Sequence, residues 1–186
     1  YFYRQELTQK TMKKIFLFVV LVFSLTSCQK TVYLTGSLMH NLQENELDLT
    51  RIQFYNDNPL VLEREVPSSN ANIKSGKVFF KNGRYINRIS LDKNTPGMVQ
   101  REENGSLLIT FEQTSDGENW LRFGAVPGEK GEYFYQLIDQ KGSPSFSRID
   151  YEGNMYLVIF PTRVRLLLSK SVLTNLKVKE RHMKGV

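Results

Sequence analysis

The sequence of 186 residues contains one cysteine, two histidines and one tryptophan. A single cysteine excludes an intrachain disulfide, so hydrophobic burial must stabilise the fold. Neither histidine is spaced from a second His or Cys as zinc ligands are. His40 does lie near Glu44, Glu46 and Asp48, but we interpret that segment as a solvated linker. We therefore expect no metal and no cofactor.

Motifs for nucleophilic catalysis and phosphate binding are also missing. The chain has no Gly-x-Ser-x-Gly elbow and no glycine-rich phosphate loop. A Ser-His-Asp triad would need His40 or His182, and neither is expected in the buried setting that holds a general base. The carboxylate pairs that could serve a glycoside hydrolase are Glu63 with Glu65, Glu102 with Glu103, and Asp150 with Glu152. Each adjoins a turn or alternates along a strand, as solvated charges do.

No apolar run is long enough to span a bilayer as a helix, which takes about 20 residues. The nine apolar residues from Ile15 to Phe23 follow Lys13 and Lys14 and precede a short polar stretch. A basic segment, a short apolar core and small residues after it are typical of a secretory signal peptide.

The end of this segment resembles the signal peptide of bacterial lipoproteins. In that family the mature protein begins at a cysteine preceded by Leu-x-[Ala/Ser/Gly], and Leu25, Thr26, Ser27 and Cys28 match every position. The resemblance covers residues 12–28. It implies cleavage before Cys28, a diacylglyceryl thioether (palmitate or a similar chain) on its sulfur, and acylation of the new amine. Because two or more acyl chains anchor a protein stably, we expect Cys28 to bind the chain to membrane lipid.

The same resemblance predicts how the chain is divided into segments. Residues 1–11 precede Met12 and do not fit the signal pattern, so we interpret them as an upstream extension outside the native protein. We predict a signal peptide at 12–27, an anchor-proximal linker at 28–49 and one β-rich domain at 50–186. The sequence after Cys28 lacks the Asp that resembles an inner-membrane retention signal and the acidic run that directs some lipoproteins to the surface. We expect a location in the bacterial cell envelope, at the outer membrane facing the periplasm.

The region after residue 49 alternates between apolar and polar residues. Asn82-Gly83 and Asn104-Gly105 stand between alternating runs and predict type I′ hairpins, because both residues of such a turn take positive φ. Asn56-Asp57-Asn58-Pro59 separates the predicted strands Thr50–Tyr55 and Leu60–Val66, so we predict a third hairpin there.

Further strands are predicted toward the C-terminus, at Trp120–Val126, Tyr133–Ile138, Met155–Phe160, Val164–Leu168 and Leu176–Arg181. Met155–Phe160 is apolar on both faces, which predicts a central strand covered on both sides. Turn signals recur about every 8–14 residues without a helical period. The pattern predicts an all-β fold, either an antiparallel β-sandwich or a small β-barrel.

The positive charge is concentrated at the C-terminus. The net charge is +6, but residues 1–27 carry four of the 25 Lys and Arg and one of the 19 Asp and Glu, which leaves +3 on residues 28–186. Alternation along strands would place basic residues on common faces. The five that we expect to contact an anionic partner are Arg163, Arg165, Lys177, Lys179 and Arg181. The partner would be an anionic lipid, a glycan or a protein of the envelope; alternatively, the lysines only prevent edge-to-edge strand pairing.

These features favour a non-enzymatic binding or accessory module of the envelope, and the domain also resembles small envelope lipoproteins of gut bacteria, which implies no activity. One alternative is an envelope hydrolase of glycan or peptide, using the scattered carboxylates. A second alternative is a structural tether that joins the membrane to another envelope complex through the basic end. Export separates the protein from nucleic acid, so we expect no nucleic-acid partner.

Overall fold

The computed structural model describes residues 31–67, 77–112, 119–159 and 163–177. The predicted lipidation site Cys28, its preceding box Leu25 to Ser27, and the basic residues Lys179 and Arg181 lie outside the described residues. Within the described ranges, no helix has the length and apolar character needed to cross a membrane.

The described residues form mainly β-strands. In chain order the strands are β1 (Thr31–Tyr33), β2 (Gln53–Asn56), β3 (Leu60–Val66), β4 (Lys77–Lys81), β5 (Arg84–Leu91), β6 (Pro96–Glu103), β7 (Ser106–Thr110), β8 (Leu121–Pro127), β9 (Tyr133–Leu137), β10 (Arg148–Tyr151), β11 (Asn154–Ile159) and β12 (Leu166–Ser169). Two α-helices accompany them, α1 (Gly36–Glu44) and α2 (Lys170–Lys177), with 3-10 turns at Leu49–Arg51 and Glu129–Gly131.

The strands make two antiparallel sheets, which confirms the predicted all-β class and its sandwich form. One sheet has seven strands in the order β1-β12-β2-β6-β7-β8-β9, and the other has five in the order β10-β11-β3-β5-β4. The strands do not close into a barrel. The edges of the larger sheet nevertheless touch, because Tyr135 N on β9 donates to Leu34 O (3.0 Å) and Leu137 N donates to Val164 O (2.8 Å).

Two of the three predicted hairpins are confirmed. Asn82 and Gly83 (φ 50° and 79°) join β4 to β5, and Asn104 and Gly105 (φ 50° and 76°) join β6 to β7, as type I′ turns require. The third prediction is wrong. β2 pairs with β12 and β6 in the larger sheet, whereas β3 pairs with β11 and β5 in the smaller one. Residues 56–59 are therefore a crossing between sheets.

The core lies between the inward faces of the two sheets. Its largest fully buried side chains are Leu34, Leu42, Phe54, Leu107, Ile109, Phe123, Leu137, Tyr156, Val164, Leu166 and Leu168. The structure differs here from the predicted linker at 28–49. Residues 31–49 contain β1 and α1, and α1 buries Met39 and Leu42, which are three residues apart and so share one helix face. Thr35 caps this helix by accepting a hydrogen bond from Leu38 N (3.2 Å).

Two other strand predictions need correction. β11 is internal to its sheet, but Met155 is 53% and Leu157 45% exposed, while Tyr156 and Val158 are buried. Only one face of β11 meets the core, so the predicted cover on both sides is wrong. Leu176 and Lys177 belong to the helix α2 instead of a strand, and residues 178–181 are outside the described ranges.

Paired leucine truncations would test this one-sided burial. Leu168→Ala removes a fully buried side chain from β12 and is expected to lower the free energy of unfolding by about 2–5 kcal/mol. Leu157→Ala removes a side chain that already faces water, and is expected to cost less than about 1 kcal/mol. Urea unfolding of both variants measures the difference. Equal losses would mean that the outer face of β11 is covered.

Candidate ligand-binding pocket

The crossing between β2 and β3 is held by buried polar side chains. Asn56 Nδ2 donates to the carbonyls of Asn58 (2.8 Å) and Asp92 (2.7 Å), and Asn56 Oδ1 accepts from Thr95 N (2.8 Å). Asp92 and Thr95 lie between β5 and β6, where the chain passes between the sheets a second time. The Asn56 amide therefore joins the two crossings. Asn58 Nδ2 donates to the Arg163 carbonyl (2.7 Å), so the chain ahead of β12 is fixed to the same place.

Asp57 continues this network to Arg165. Its carboxylate, 5% exposed, accepts from Arg165 N (2.7 Å) and Arg165 Nε (2.9 Å). Arg165 Nη2 donates to Tyr33 Oη (2.9 Å), and the guanidinium centre lies 4.1 Å from the Tyr33 ring centroid and 5.4 Å from that of Phe134. Such stacking and charge-assisted bonds fix the plane of the guanidinium group. Within the described residues, Arg165 Nη1 has no hydrogen-bond partner.

A pocket of about 300 Å³ opens beside this arginine. It lies between the end of β8, the turn after it, β9 and the segment before β12. Its lining residues are Val126, Pro127, Gly128, Glu129, Phe134, Gln136, Arg163 and Arg165. Gly128 is required here, since a Cβ atom at that position would lie 2.5 Å from the Phe134 ring.

Gln136 gives the pocket a polar side chain. Its residue is 7% exposed, and across the described ranges its side-chain amide makes no hydrogen bond. A side-chain amide at the wall of a pocket is normally satisfied by water or by a ligand. The amide offers two donors and an acceptor to whatever occupies the pocket.

The two arginines at the pocket are balanced in number by Asp57 and Glu129, so hydrogen-bond donors and not a net positive charge would select an anion. Asp57 compensates Arg165, whereas Arg163 is exposed and forms no ion pair with another described residue. Glu129 also lies at the rim, and it too makes no ion pair within the described ranges. An anionic group between Arg163 and the unbonded edge of Arg165 would receive charge-assisted hydrogen bonds. The ring of Phe134 supplies an apolar wall next to it.

The structure brings together two of the five predicted anion-contacting residues. Arg163 and Arg165 both line the pocket, although they lie ahead of β12 and not on a regular strand. Lys177 is at the end of α2, and Lys179 and Arg181 are outside the described residues. Sequence reasoning missed Asp57, Tyr33 and Gln136, since nothing in their local spacing points to Arg165.

Three of the six carboxylates considered for catalysis are paired with arginines. Glu63 pairs with Arg88, Glu65 with Arg84 (2.9 Å), and Glu103 lies 3.3 Å from Arg122 and 3.4 Å from Arg101. Among the described carboxyl groups, the pKa of Glu112 is raised, because burial disfavours its charged form and Glu152 repels it. The cavity beside Glu112 has about 20 Å³, room for about one water molecule.

The residues considered for a metal site do not gather. His40 Nε2 lies 3.1 Å from Glu44 Oε1, and both side chains are exposed. Hydrogen bonds from the Thr50 side chain and backbone lower the pKa of Asp48. No group of three or more His, Cys, Asp and Glu side chains suited to a metal ion occurs within the described part of the chain.

Comparisons with known proteins do not assign the chain to a family. No protein-family model matches the chain, and neither a curated protein nor a solved structure matches it. The fold and the pocket define an antiparallel β-sandwich with a small arginine-lined pocket, and its function has to be argued from these residues.

Removing the Asp57 carboxylate would test whether it holds the pocket segment in place. Asp57→Ala leaves the Arg165 amide and guanidinium without their acceptor, and is expected to lower the free energy of unfolding by about 3 kcal/mol. Glu65→Ala breaks an exposed pair with Arg84 and should cost less than about 1 kcal/mol. Denaturant unfolding at pH 7 compares the two, and a loss for Asp57→Ala no larger than for Glu65→Ala would contradict the role given to Asp57.

Proposed function

We propose that this chain is a lipid-anchored protein of the bacterial cell envelope, at the outer membrane facing the periplasm, and acts as a non-enzymatic binding module. Its anchor would be Cys28, and its ligand would occupy the pocket at Arg163, Arg165 and Gln136. The anchor is supported by the signal-like segment 12–28 and the binding role by the pocket.

The observation that carries the binding role is the side-chain amide of Gln136, which has no hydrogen-bond partner among the described residues, beside a fixed arginine. Holding Arg165 by Asp57 and Tyr33 leaves one edge of its guanidinium group for a ligand. Such preorganisation reduces the entropy that binding would otherwise cost. The core does not need the Gln136 amide, because its side chain makes no hydrogen bond to the described residues.

The size and polarity of the pocket indicate a class of ligand. Its volume of about 300 Å³ is at the lower end for small-molecule sites, which suits one sugar ring or one headgroup. Two arginines and an amide recognise a phosphate or carboxylate, and Phe134 can stack on an apolar sugar face. We propose an anionic envelope glycan or lipid headgroup as the ligand.

A comparison of sugar ligands would test the pocket. We expect glucose 6-phosphate to raise the unfolding temperature of the protein more than glucose does, because only the phosphate can pair with the arginines. Arg163→Gln should weaken phosphosugar binding about tenfold, the effect of losing one charge-assisted hydrogen bond. Lys141→Gln, which changes an exposed cation away from the pocket, serves as the control and should leave binding unchanged.

The Gln136→Leu variant distinguishes an effect on ligand binding from an effect on stability. Replacing an unpartnered amide by an apolar group of similar size should leave the free energy of unfolding unchanged or higher, while phosphosugar binding falls. Calorimetric titration and urea unfolding measure the two effects. If this variant binds as well as the original chain, or if glucose and its phosphate act alike, the pocket is not an anion site.

The anchor is tested separately through Cys28. Cells producing the Cys28→Ala variant should release the protein from the membrane fraction after a salt wash, because no acyl chain can be attached. The original chain should stay in that fraction and carry added acyl mass. A Cys28→Ala protein that remains membrane-bound, or an original chain without acyl mass, would contradict lipid anchoring.

A further inference from the structure

A carboxylate at the rim of the arginine pocket has no partner. Glu129 lines the pocket together with Arg163 and Arg165. It is exposed, and its side chain makes neither a hydrogen bond nor an ion pair within the described ranges. The other carboxylate beside these arginines, that of Asp57, is already bonded to Arg165. Of the two carboxylates, Glu129 is therefore the one that a ligand can reach.

The turn that carries Glu129 is held in place. It is the 3-10 turn Glu129–Gly131 between β8 and β9, and Gly128 N donates to Glu132 O (2.7 Å) across its base. Glu132 Oε1 accepts a hydrogen bond from Ser37 Oγ (2.7 Å) at the start of α1. Glu132 thus has a structural partner, whereas Glu129, on the same turn, faces the pocket rim without one.

Opposite charges therefore share the pocket without neutralising each other. Asp57 compensates Arg165. Arg163 and Glu129 have no ion-pair partner among the residues that the structure describes, and they do not pair with each other. Opposite charges held apart at one site complement a ligand that carries both signs. A ligand with only an anionic group would be attracted by the arginines but repelled by Glu129.

The hydrogen-bond donors of the pocket fit a phosphate. They are the guanidinium groups of Arg163 and Arg165 and the side-chain amide of Gln136. A phosphate monoester presents three strong acceptor oxygens, whereas a carboxylate presents two. One oxygen of a phosphate is therefore available for each donor group, and Glu129 remains for a cationic part of the same ligand.

We infer that the pocket binds a phosphate ester that also bears an ammonium group. This inference rests on the proposed binding function and adds a second recognised group to its ligand. The phosphate would accept charge-assisted hydrogen bonds from Arg163 and Arg165, and the ammonium group would donate to Glu129. A volume of about 300 Å³ holds both groups when one sugar ring or a short chain separates them. A phosphorylated amino sugar and an ethanolamine phosphate headgroup both have this chemistry.

Calorimetric titration of the full chain with matched ligands would test the ammonium group. Glucosamine 6-phosphate is compared with glucose 6-phosphate, which lacks the amine, and with N-acetylglucosamine 6-phosphate, whose nitrogen is uncharged. Ethanolamine phosphate and ethyl phosphate form the corresponding pair for a headgroup. At pH 7 we expect the ammonium-bearing member of a pair to bind about fivefold more tightly than its uncharged counterparts, the gain from one exposed ion pair. The set with the larger gain identifies the source of the ligand, sugar or headgroup.

Variants assign this preference to Glu129. Glu129→Gln should abolish the preference for the ammonium group, and should leave glucose 6-phosphate binding unchanged or tighter because a repelling charge is lost. Glu46→Gln changes an exposed carboxylate that does not line the pocket, and should keep the preference. Urea unfolding confirms that both variants are folded.

The outcomes separate this inference from the proposed function. Equal binding of charged and uncharged members in both sets, or a preference that persists in Glu129→Gln, would overturn the inference while glucose 6-phosphate still binds. If glucose 6-phosphate and the other phosphates all fail to bind, the proposed anion site fails together with the inference.

Discussion

The buried contact between Asp57 and Arg165 is the constraint on which the two sheets and the pocket depend. The two residues are 108 positions apart in sequence, yet both the backbone and the side chain of Arg165 bond to the Asp57 carboxylate. The contact lies where the chain leaves the larger sheet after β2 and where it returns before β12. A buried charge without its partner is costly. The segment after β2, which carries Asp57, and the segment before β12, which carries Arg165, therefore hold each other in position.

The contact that stabilises the fold also positions Arg165 at the pocket. Asp57 orients Arg165, and the same arginine contacts the rings of Tyr33 and Phe134, which come from opposite edges of the larger sheet. The pocket therefore lies at the junction of those edges, where irregular backbone leaves room that a continuous ladder would fill. Gln136 belongs to β9 and is paired there with Arg165 only through an isolated bridge. The Gln136 side chain lines the pocket, because neither described edge of the sheet supplies a hydrogen-bond partner for its amide.

Local chemistry made part of this fold predictable. Asn-Gly turns fix both residues at positive φ, so the hairpins at Asn82 and Asn104 could be placed from sequence. The turn between β10 and β11 uses Glu152 and Gly153 (φ 52° and 66°), and glutamate gives no such signal. Strand β10 was accordingly missed. Residues 56–59 contain equally strong turn residues, but hydrogen bonds to distant segments decide that the chain crosses between sheets there.

The pocket was predictable only in its charge. Arg163 and Arg165 stand out because basic residues are concentrated late in the chain, whereas Tyr33 lies 132 residues from Arg165 and no local spacing connects them. The same limit applies to burial. Residues 155–159 of β11 are all apolar, yet Met155 and Leu157 face water, because hydrophobic sequence does not say which surface has a partner. No described element covers the outer face of β11. The strand is therefore attached to the core through its other face, by the buried side chains of Tyr156 and Val158.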